Sequence, residues 1–329
     1  MIRCRVLWLR RLRPFLPWLS LVTGLLGAWF MNRAPGRAFV VIVAAVLGWV
    51  MLVVFNLVER NGALKGDGVR QWGARYAIVA SNQMAIQQAL LFPLPFYLRA
   101  AVATTPTVSI HPVHLAFLAL YAAALVIALW DPLFTRAMSS TTSALGMQSF
   151  AAFVGLNMVL PVLGASNEVS LLVAGAATGL SVPLAMLMSR PVTTWRTRVG
   201  AVVGAVLVVV LARLAAPLIP PAPLELVSVA IGTRVEDHEL VDPSEQLDKP
   251  DGLVCHSAIK APLGLKDALV HVWQKDGARF DEVHLDMRGG RDAGFRTWSR
   301  ESPVSRGRFR CTVQTASGQI LGAADVDVR

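Results

Sequence analysis

The most constraining feature of the sequence is a series of long apolar stretches that occupies its first two-thirds. A helix that crosses the hydrocarbon core of a bilayer, roughly 30 Å thick, needs about 20 mostly apolar residues, because its backbone groups find no water there. Seven stretches approach that length, and a Ser/Thr-rich connector after the fourth leaves counts of six or eight open. They are residues 15–31, 38–58, 76–98, 113–130, 143–163, 170–188 and 197–216. The sequence therefore predicts an all-α polytopic membrane bundle of about seven helices.

Composition and charge separate the chain into two unlike parts. Hydrophobic residues make up 54% of the chain and charged residues 16%, whereas soluble domains carry about a quarter charged residues. Residues 1–223 hold 17 Lys/Arg against 4 Asp/Glu, and residues 224–329 hold 14 against 17. The positive charges punctuate apolar runs instead of forming a soluble basic face, so nucleic-acid binding is excluded as a function and the lipid bilayer is the expected partner.

The distribution of Lys and Arg predicts an orientation in the membrane. With the N-terminus in the cytoplasm, the inner flanks of the apolar stretches carry 13 Lys/Arg and the outer flanks carry 3. Cytoplasmic loops retain the excess of positive charge. We therefore expect a multi-pass protein of the bacterial inner membrane, with a cytoplasmic N-terminus and residues 224–329 in the periplasm.

The expected domains are a transmembrane helical domain (1–216), a Pro-rich linker (217–223) and a periplasmic domain (224–329). The four prolines of the linker favour a stiff extended spacer. Seven β-rich stretches follow, which by number and spacing predict an immunoglobulin-like β-sandwich, and residues 234–252 are expected to form a long loop. The predicted strands are residues 226–233, 253–260, 268–274, 279–286, 294–300, 307–315 and 319–328.

Side-chain alternation places two cysteines inside this predicted sandwich. Cys255 shares a face with apolar neighbours in its strand, as does Cys311 between Phe309 and Val313. In an oxidising compartment such a pair can form a disulfide that joins the two sheets. The alternative is two free buried thiols that act as small hydrophobic side chains.

Several motifs of the C-terminal region resemble a known bacterial family. These are the His271-Val-Trp273 segment with the Lys-Asp-Gly turn that follows it, residues 295–300, residues 307–313 and residues 317–322. Together they are similar to the domain of unknown function 2914, and the likeness covers roughly residues 225–329. The membrane part, with its segment 91–97, resembles the domain of unknown function 5924. The resemblance implies the two-part architecture but no activity, and it does not imply the disulfide, because family members often lack a cysteine at the position of Cys311.

The strongest candidate binding site is a group of arginines around one tryptophan. Alternation puts Arg296, Trp298 and Arg300 on one face of a strand. If the next strand pairs with it as a hairpin, Arg308 and Arg310 join the same surface. Such a basic, aromatic patch would fit an anionic lipid, an envelope glycan or an acidic protein, because guanidinium groups bind phosphate and carboxylate and stack on indole rings. The alternative is a structural ladder of these side chains without a ligand.

His271 and Trp273 form a possible accessory site on one strand face. The structural interpretation, a tryptophan in the core with a hydrogen-bonded histidine, is favoured over ligand binding. The histidines of the domain match no metal signature, so neither a metal nor another cofactor is expected.

Polar residues in the third apolar stretch suggest a second functional class. Asn82, Gln83 and Gln87 need hydrogen-bond partners at this depth, and Asn157 in the fifth apolar stretch is a candidate. Their polarity surrounds the helix, which favours a buried structural helix over a one-sided transport path. A neutral-solute transporter or lipid-handling protein that uses this helix is the alternative function.

Known catalytic motifs are absent from the sequence, so an enzyme is the less favoured class. We expect an integral membrane protein whose periplasmic domain binds or organises an envelope component. Alanine at Arg296, Trp298 and Arg300 should then abolish binding, whereas leucine at Gln83 and Gln87 should abolish activity in the alternative.

Overall fold

The computed structural model describes residues 81–103, 109–181, 195–290 and 293–329, together with residues 22, 26 and 183. Apart from residues 22 and 26, the first two predicted spans lie outside these ranges. Residues 81–91 are helical, and six α-helices and two 3₁₀ helices follow in the described residues. They are α1 (Leu94–Ala101), α2 (Leu115–Leu129), α3 (Asp131–Met138), α4 (Thr141–Val162), α5 (Asn167–Gly179) and α6 (Trp195–Leu214), with 3₁₀ helices at Pro112–His114 and Ala216–Leu218.

The predicted fold class, a bundle of about seven helices followed by an immunoglobulin-like sandwich, is wrong. Among the described residues, two helical segments, Pro112–Leu129 and Thr142–Val162, are long and apolar enough to cross a membrane by length and composition. After the helical residues 81–91, the described chain therefore has six α-helices and then a β-rich C-terminal region, and two of its helical segments are candidate spans.

In the described residues, some predicted apolar stretches form interrupted or short helices instead of one long helix. A turn at Phe92 and Pro93 separates the helical residues 81–91 from α1, because proline lacks the N–H that a continuous helix requires. The helix α5 has 13 residues, or about 20 Å at 1.5 Å per residue, which is shorter than the hydrocarbon core. The number of apolar residues in a stretch predicts neither where a helix is interrupted nor how long it is.

The C-terminal region, residues 225–329, is called the β-domain below, and its described residues contain ten β-strands. They are β3 (Glu225–Gly232), β4 (Arg234–Glu236), β5 (Glu239–Val241), β6 (Gln246–Leu247), β7 (Leu253–Lys260), β8 (Lys266–Lys275), β9 (Ala278–Arg288), β10 (Phe295–Glu301), β11 (Gly307–Thr315) and β12 (Ile320–Val328), after a short pair β1 (Val102–Ala103) and β2 (Ser109–Ile110). Two main sheets have the orders β10-β7-β3 and β6-β12-β11-β8-β9, and β4 and β5 form a small third sheet. All pairs are antiparallel except β6 with β12, which is parallel.

The inner faces of the two sheets share one hydrophobic core. It contains Leu253 and Ile259 from the three-stranded sheet, and Trp273 and Val313 from the five-stranded sheet, all fully buried. Cys255 in β7 forms a disulfide with Cys311 in β11 across this core. The core thus joins the two sheets by both apolar packing and a covalent bond.

The predicted loop 234–252 contains a β-hairpin that sequence reasoning did not find. Strands β4 and β5 pair through a two-residue turn, and both turn residues have positive φ, 48° at Asp237 and 64° at His238. Hairpin turns of this kind usually contain glycine, and its absence hid the hairpin. Gly232 permits the close approach of β5, because a Cβ there would lie 2.6 Å from the Val241 carbonyl oxygen.

The described chain divides into two compact units. One contains residues 81–95, Ala119–Val159 and Val173–Ala212; the other, called the C-terminal unit, contains Phe96–Leu118, Leu160–Leu172 and Arg213–Arg329. Within the C-terminal unit the Pro-rich segment is not the extended spacer expected from sequence. Its residues begin with the second 3₁₀ helix, and Ile219 and Ala222 are buried.

Polar contacts within the C-terminal unit connect its helical segments to the β-domain. The Asp267 carboxylate accepts hydrogen bonds from the Asn167 backbone N–H (3.0 Å) and side-chain amide (2.6 Å), at the first turn of α5. The ring nitrogens of His114 lie 3.2 Å from the Leu218 carbonyl oxygen and 3.0 Å from that of Ile320. Arg213 donates to the Ser317 carbonyl (2.6 Å). These contacts join residues far apart in sequence, and no local pattern signalled them.

Replacing both Cys255 and Cys311 with alanine should lower the free energy of unfolding of the β-domain by about 4 kcal/mol, because the bond closes a loop of 56 residues in the unfolded chain. Pulse proteolysis of the full-length protein in detergent across a urea series measures this loss. Cys4→Ala is the control. Alkylation of Cys255 and Cys311 in unreduced, denatured protein would show free thiols and contradict the prediction.

Candidate functional site

The strand β10 presents a tryptophan and two arginines on the outer face of the three-stranded sheet. Thr297 and Ser299 point inward and are buried, whereas Trp298 keeps 38% of its surface exposed. Arg296 and Arg300 share the outward face with Trp298 because side chains alternate along a strand. The structure therefore brings these three predicted site residues together on one surface.

Trp298 lies between two imidazole rings. In the strand register it is opposite His256 of β7, whose ring stacks at 6.5 Å with an interplanar angle of 10°. The β4–β5 hairpin supplies the second ring, His238, at 5.6 Å from the indole. A ring nitrogen of His256 lies 3.2 Å from the His238 carbonyl oxygen, which ties the hairpin to the sheet.

An ion pair completes this surface. The Arg296 guanidinium contacts a Glu239 carboxylate oxygen at 2.7 Å, and both side chains are partly exposed. We call the group of Arg296, Trp298, His238, Glu239 and His256 the Trp298 surface. Burial lowers the pKa of His256, as does the nearby Arg296, although the His238 carbonyl and Glu239 oppose the shift. Arg296 is paired with Glu239, whereas Arg300 on the same face lies in no ion pair among the described residues. The surface is therefore aromatic and polar, with one positive charge at its edge.

The other two predicted arginines do not belong to this surface. Arg308 and Arg310 lie on β11, which pairs with β8 and β12 in the five-stranded sheet, so the expected hairpin between β10 and β11 is wrong. The segment between these strands crosses from one sheet to the other. Arg310 makes two bonds of 2.8 Å to Asp325, and this hydrogen bonding lowers the pKa of the Asp325 carboxyl.

His271 and Trp273 are fully buried in the core. The Ser299 hydroxyl receives a bond from the Trp273 indole N–H (2.9 Å) and lies 3.0 Å from the His271 Nδ1 atom. The Nε2 atom of His271 lies 3.0 Å from the Ser257 hydroxyl. Burial lowers the pKa of His271 to about 4, so the ring is neutral under physiological conditions. The two residues therefore form an internal hydrogen-bond network with no exposed surface for a ligand.

A possible metal-ligand set lies in the same place. Ligand atoms of Cys255, His271 and Cys311 fall within 4.8 Å of one another. However, the two sulfur atoms are bonded to each other, and thiolates are the form of cysteine that binds metals. Both imidazole nitrogens also have serine partners. In the disulfide form these residues fit a structural core and not a metal site.

The polar residues of the helical segment 81–91 compensate for a break between two other helices. The Gln87 side chain donates to the Ala128 carbonyl (2.7 Å), and Gln83 donates to the same oxygen (3.1 Å) and to Asp131 (3.0 Å). In a continuous helix this carbonyl would accept from residue 132, but Pro132 has no N–H. Asn82 contacts the Met138 sulfur atom at 3.6 Å, and Asn157 is buried in α4.

Two comparisons describe what the whole chain is similar to. A model of a family of unknown function, DUF5924, matches residues 1–251. The chain belongs to this family. A model of a protein of unknown function, DUF2914, matches residues 266–328. No curated protein and no solved structure is significantly similar to the chain. As a DUF5924 member joined to a DUF2914 segment, the chain has the two-part layout expected from its motifs.

Glu301, at the end of β10, is a carboxyl group whose pKa is shifted by its surroundings. Burial, together with a hydrogen bond and charge repulsion from Asp281 in β9, raises the pKa of Glu301 from 4.5 to about 7. The folded state therefore holds this proton more tightly than the unfolded chain does. The resulting stability is fully present below pH 4.5 and is lost as the pH rises towards about 7.

Replacing Glu301 with glutamine should remove this loss, because the amide can still donate to Asp281 but cannot ionise. We expect the variant to unfold at higher urea concentration than the unmodified protein at about pH 8, with a smaller difference at about pH 5. Pulse proteolysis across a urea series at the two pH values measures the urea concentration at which each protein unfolds. Glu282→Gln is the control, because Glu282 pairs with Arg279 instead. An equal shift at both pH values would contradict the assignment.

Proposed function

We propose that this protein is a bacterial inner-membrane protein whose periplasmic β-domain binds a glycan of the cell envelope at the Trp298 surface. The observation that carries the proposal is the partly exposed Trp298 ring, flanked by two imidazole rings and an Arg–Glu ion pair. The helical part would act as the membrane anchor.

The anchor rests on chain composition and helix length. Two helical segments have the length and apolar character of membrane spans, and large apolar side chains along α2 and α6 are exposed, as lipid-facing side chains are in membrane proteins. The excess of Lys and Arg in the expected inner flanks supports a cytoplasmic N-terminus. The disulfide supports an oxidising compartment for the β-domain, which in bacteria is the periplasm.

The architecture of the β-domain supports a binding role. Its two main sheets share one core, and a disulfide between β7 and β11 joins them into a rigid frame. Binding residues are commonly presented on such a rigid scaffold, and here the frame would present one sheet face with Trp298.

Among the three ligand classes considered from sequence, a glycan fits the Trp298 surface best. An anionic lipid or an acidic protein would require the five arginines together, yet they are divided between two sheets and several are paired with acids. Sugar rings offer apolar faces for an aromatic ring and hydroxyl groups for nearby charged and polar side chains. An aromatic and polar surface with Trp298, His238 and Glu239 matches that chemistry.

The alternative function, transport or lipid handling through the polar helix, gains no support from the described contacts. The amides of Gln83 and Gln87 already bind the carbonyl that Pro132 leaves without its helical partner. This role explains their presence without a solute.

An alkaline phosphatase fused after Val328 should be active, because the enzyme requires the oxidising periplasm to form its disulfides. The same enzyme fused after Ser139, between α3 and α4, should be inactive because that segment is expected to be cytoplasmic. Colony assays of phosphatase activity, normalised to protein amount, measure both. Activity confined to the Ser139 fusion would refute the proposed orientation.

Replacing Trp298 with alanine should reduce glycan binding roughly fivefold, because loss of one stacked aromatic ring removes about 1 kcal/mol. The full-length protein in nanodiscs, applied to an array of bacterial envelope polysaccharides that includes peptidoglycan fragments, provides the measurement. Phe280→Ala is the matched control, since Phe280 is an exposed aromatic residue of the five-stranded sheet. Equal retention of both variants, or no retention of the unmodified protein, would rule out a glycan site at Trp298.

A further inference from the structure

The loop between β7 and β8 exposes an apolar side chain that its own fold does not explain. Leu263 is 79% exposed, more than any other large apolar side chain among the described residues. Leu265, two positions later, is buried in the core. Leu263 therefore points away from the core and is open to contact with a surface outside the described fold.

The backbone of this loop is held in place. The Gly289 N–H donates to the Leu265 carbonyl (2.8 Å), and the Gly290 N–H donates to the Ala261 carbonyl (3.1 Å). A Cβ on Gly290 would lie 2.5 Å from the Leu263 side chain. Gly289 and Gly290 thus hold the loop at both of its ends, so Leu263 projects from a defined position.

The loop lies beside the end of a candidate membrane span. Within the C-terminal unit, a Cβ on Gly164 would lie 4.0 Å from the Gly264 carbonyl oxygen. Asp267, at the start of β8, caps the first turn of α5 through Asn167. The apolar segment Thr142–Val162 ends two residues before Gly164. If that segment crosses the bilayer, Leu263 lies near the level at which the hydrocarbon ends.

Three cationic side chains surround the loop. Lys260 precedes it, Lys266 follows it, and Arg288 is paired with Lys266 in the β8–β9 register. All three are exposed, and within the described chain none lies in an ion pair. Glu225 is opposite Lys260 in the register of β3 and β7, and the Asp267 carboxylate keeps its negative charge while it accepts hydrogen bonds from Asn167. Among these five charged residues the excess is one positive charge, and the three cations are exposed.

We propose that the segment Ala261–Leu265 docks onto the surface of the bilayer, with Leu263 inserted between lipid headgroups and with Lys260, Lys266 and Arg288 against anionic phosphates. This inference rests on the proposed membrane anchor, but not on the glycan site. An apolar side chain ringed by cations is the arrangement by which soluble surfaces bind anionic membranes. Docking would fix the β-domain against the bilayer and keep the orientation of the Trp298 surface constant.

Site-specific labelling of the full-length protein tests this docking. With Cys4 replaced by serine, single cysteines are introduced as Leu263→Cys, Phe280→Cys and Val126→Cys and labelled with an environment-sensitive fluorophore. Phe280 is the matched control, because it is an exposed apolar residue of β9 that lies roughly 26 Å along the strand from Arg288. Val126 is exposed in α2 and reports on the anchor. The variants are reconstituted into phosphatidylcholine vesicles, with or without phosphatidylglycerol and with a lipid-attached quencher.

We expect quenching at positions 263 and 126 but not at position 280. Phosphatidylglycerol should increase quenching at position 263 about twofold, and replacing Lys260, Lys266 and Arg288 with glutamine should abolish that increase. Quenching at 126 without quenching at 263 would overturn the docking while leaving the anchor intact. Absence of quenching at both positions would overturn the anchor and the docking together. Fluorescence at 263 that is shielded from water but not quenched would assign Leu263 to a protein contact, against the proposal.

Discussion

The bond between Cys255 and Cys311 fixes which faces of the β-domain strands are inside. Once Cys255 points into the core, alternation makes its neighbour His256 point outward. The register between β7 and β10 then places Ser299 opposite Cys255 and Trp298 opposite His256. The position of Trp298 on the surface is thus a consequence of the cysteine in the core. The hydrogen bonds of Ser299 with Trp273 and His271 also hold Ser299 inside, which keeps its neighbour Trp298 on the outer face.

Local patterns in the sequence were sufficient for seven of the ten strands described in the β-domain and for the faces of their side chains. All seven β-rich stretches became strands, and period-two alternation gave the outward direction of Arg296, Trp298 and Arg300. These local patterns could not predict which strands pair with each other. β10 and β11 are consecutive in sequence but bind partners in different sheets, because pairing depends on long-range core contacts that alternation does not encode. His238 and Glu239 were missed because their turn lacks glycine.

In the helical part, apolar composition was a weaker guide than in the β-domain. Hydropathy identifies chain that can be buried in lipid or in protein, but proline and helix length decide whether a segment spans. The helix α2 ends at Leu129, and Pro132 has no N–H to donate to the Ala128 carbonyl. The side chains of Gln83 and Gln87 donate to this carbonyl instead. The polar residues that suggested a solute path are thus accounted for by a backbone group that needs a donor.

The β-domain extends over parts of both family matches. The first match ends at residue 251 and the second begins at residue 266, so that β7, with Cys255 and His256, lies between them. The Trp298 surface takes His238 and Glu239 from the first match and Arg296 and Trp298 from the second. The strands β8 to β12 alone would lack the disulfide partner of Cys311 and the paired strand of β10. The two sheets of the β-domain are therefore built from both matched segments together with the strand β7 between them.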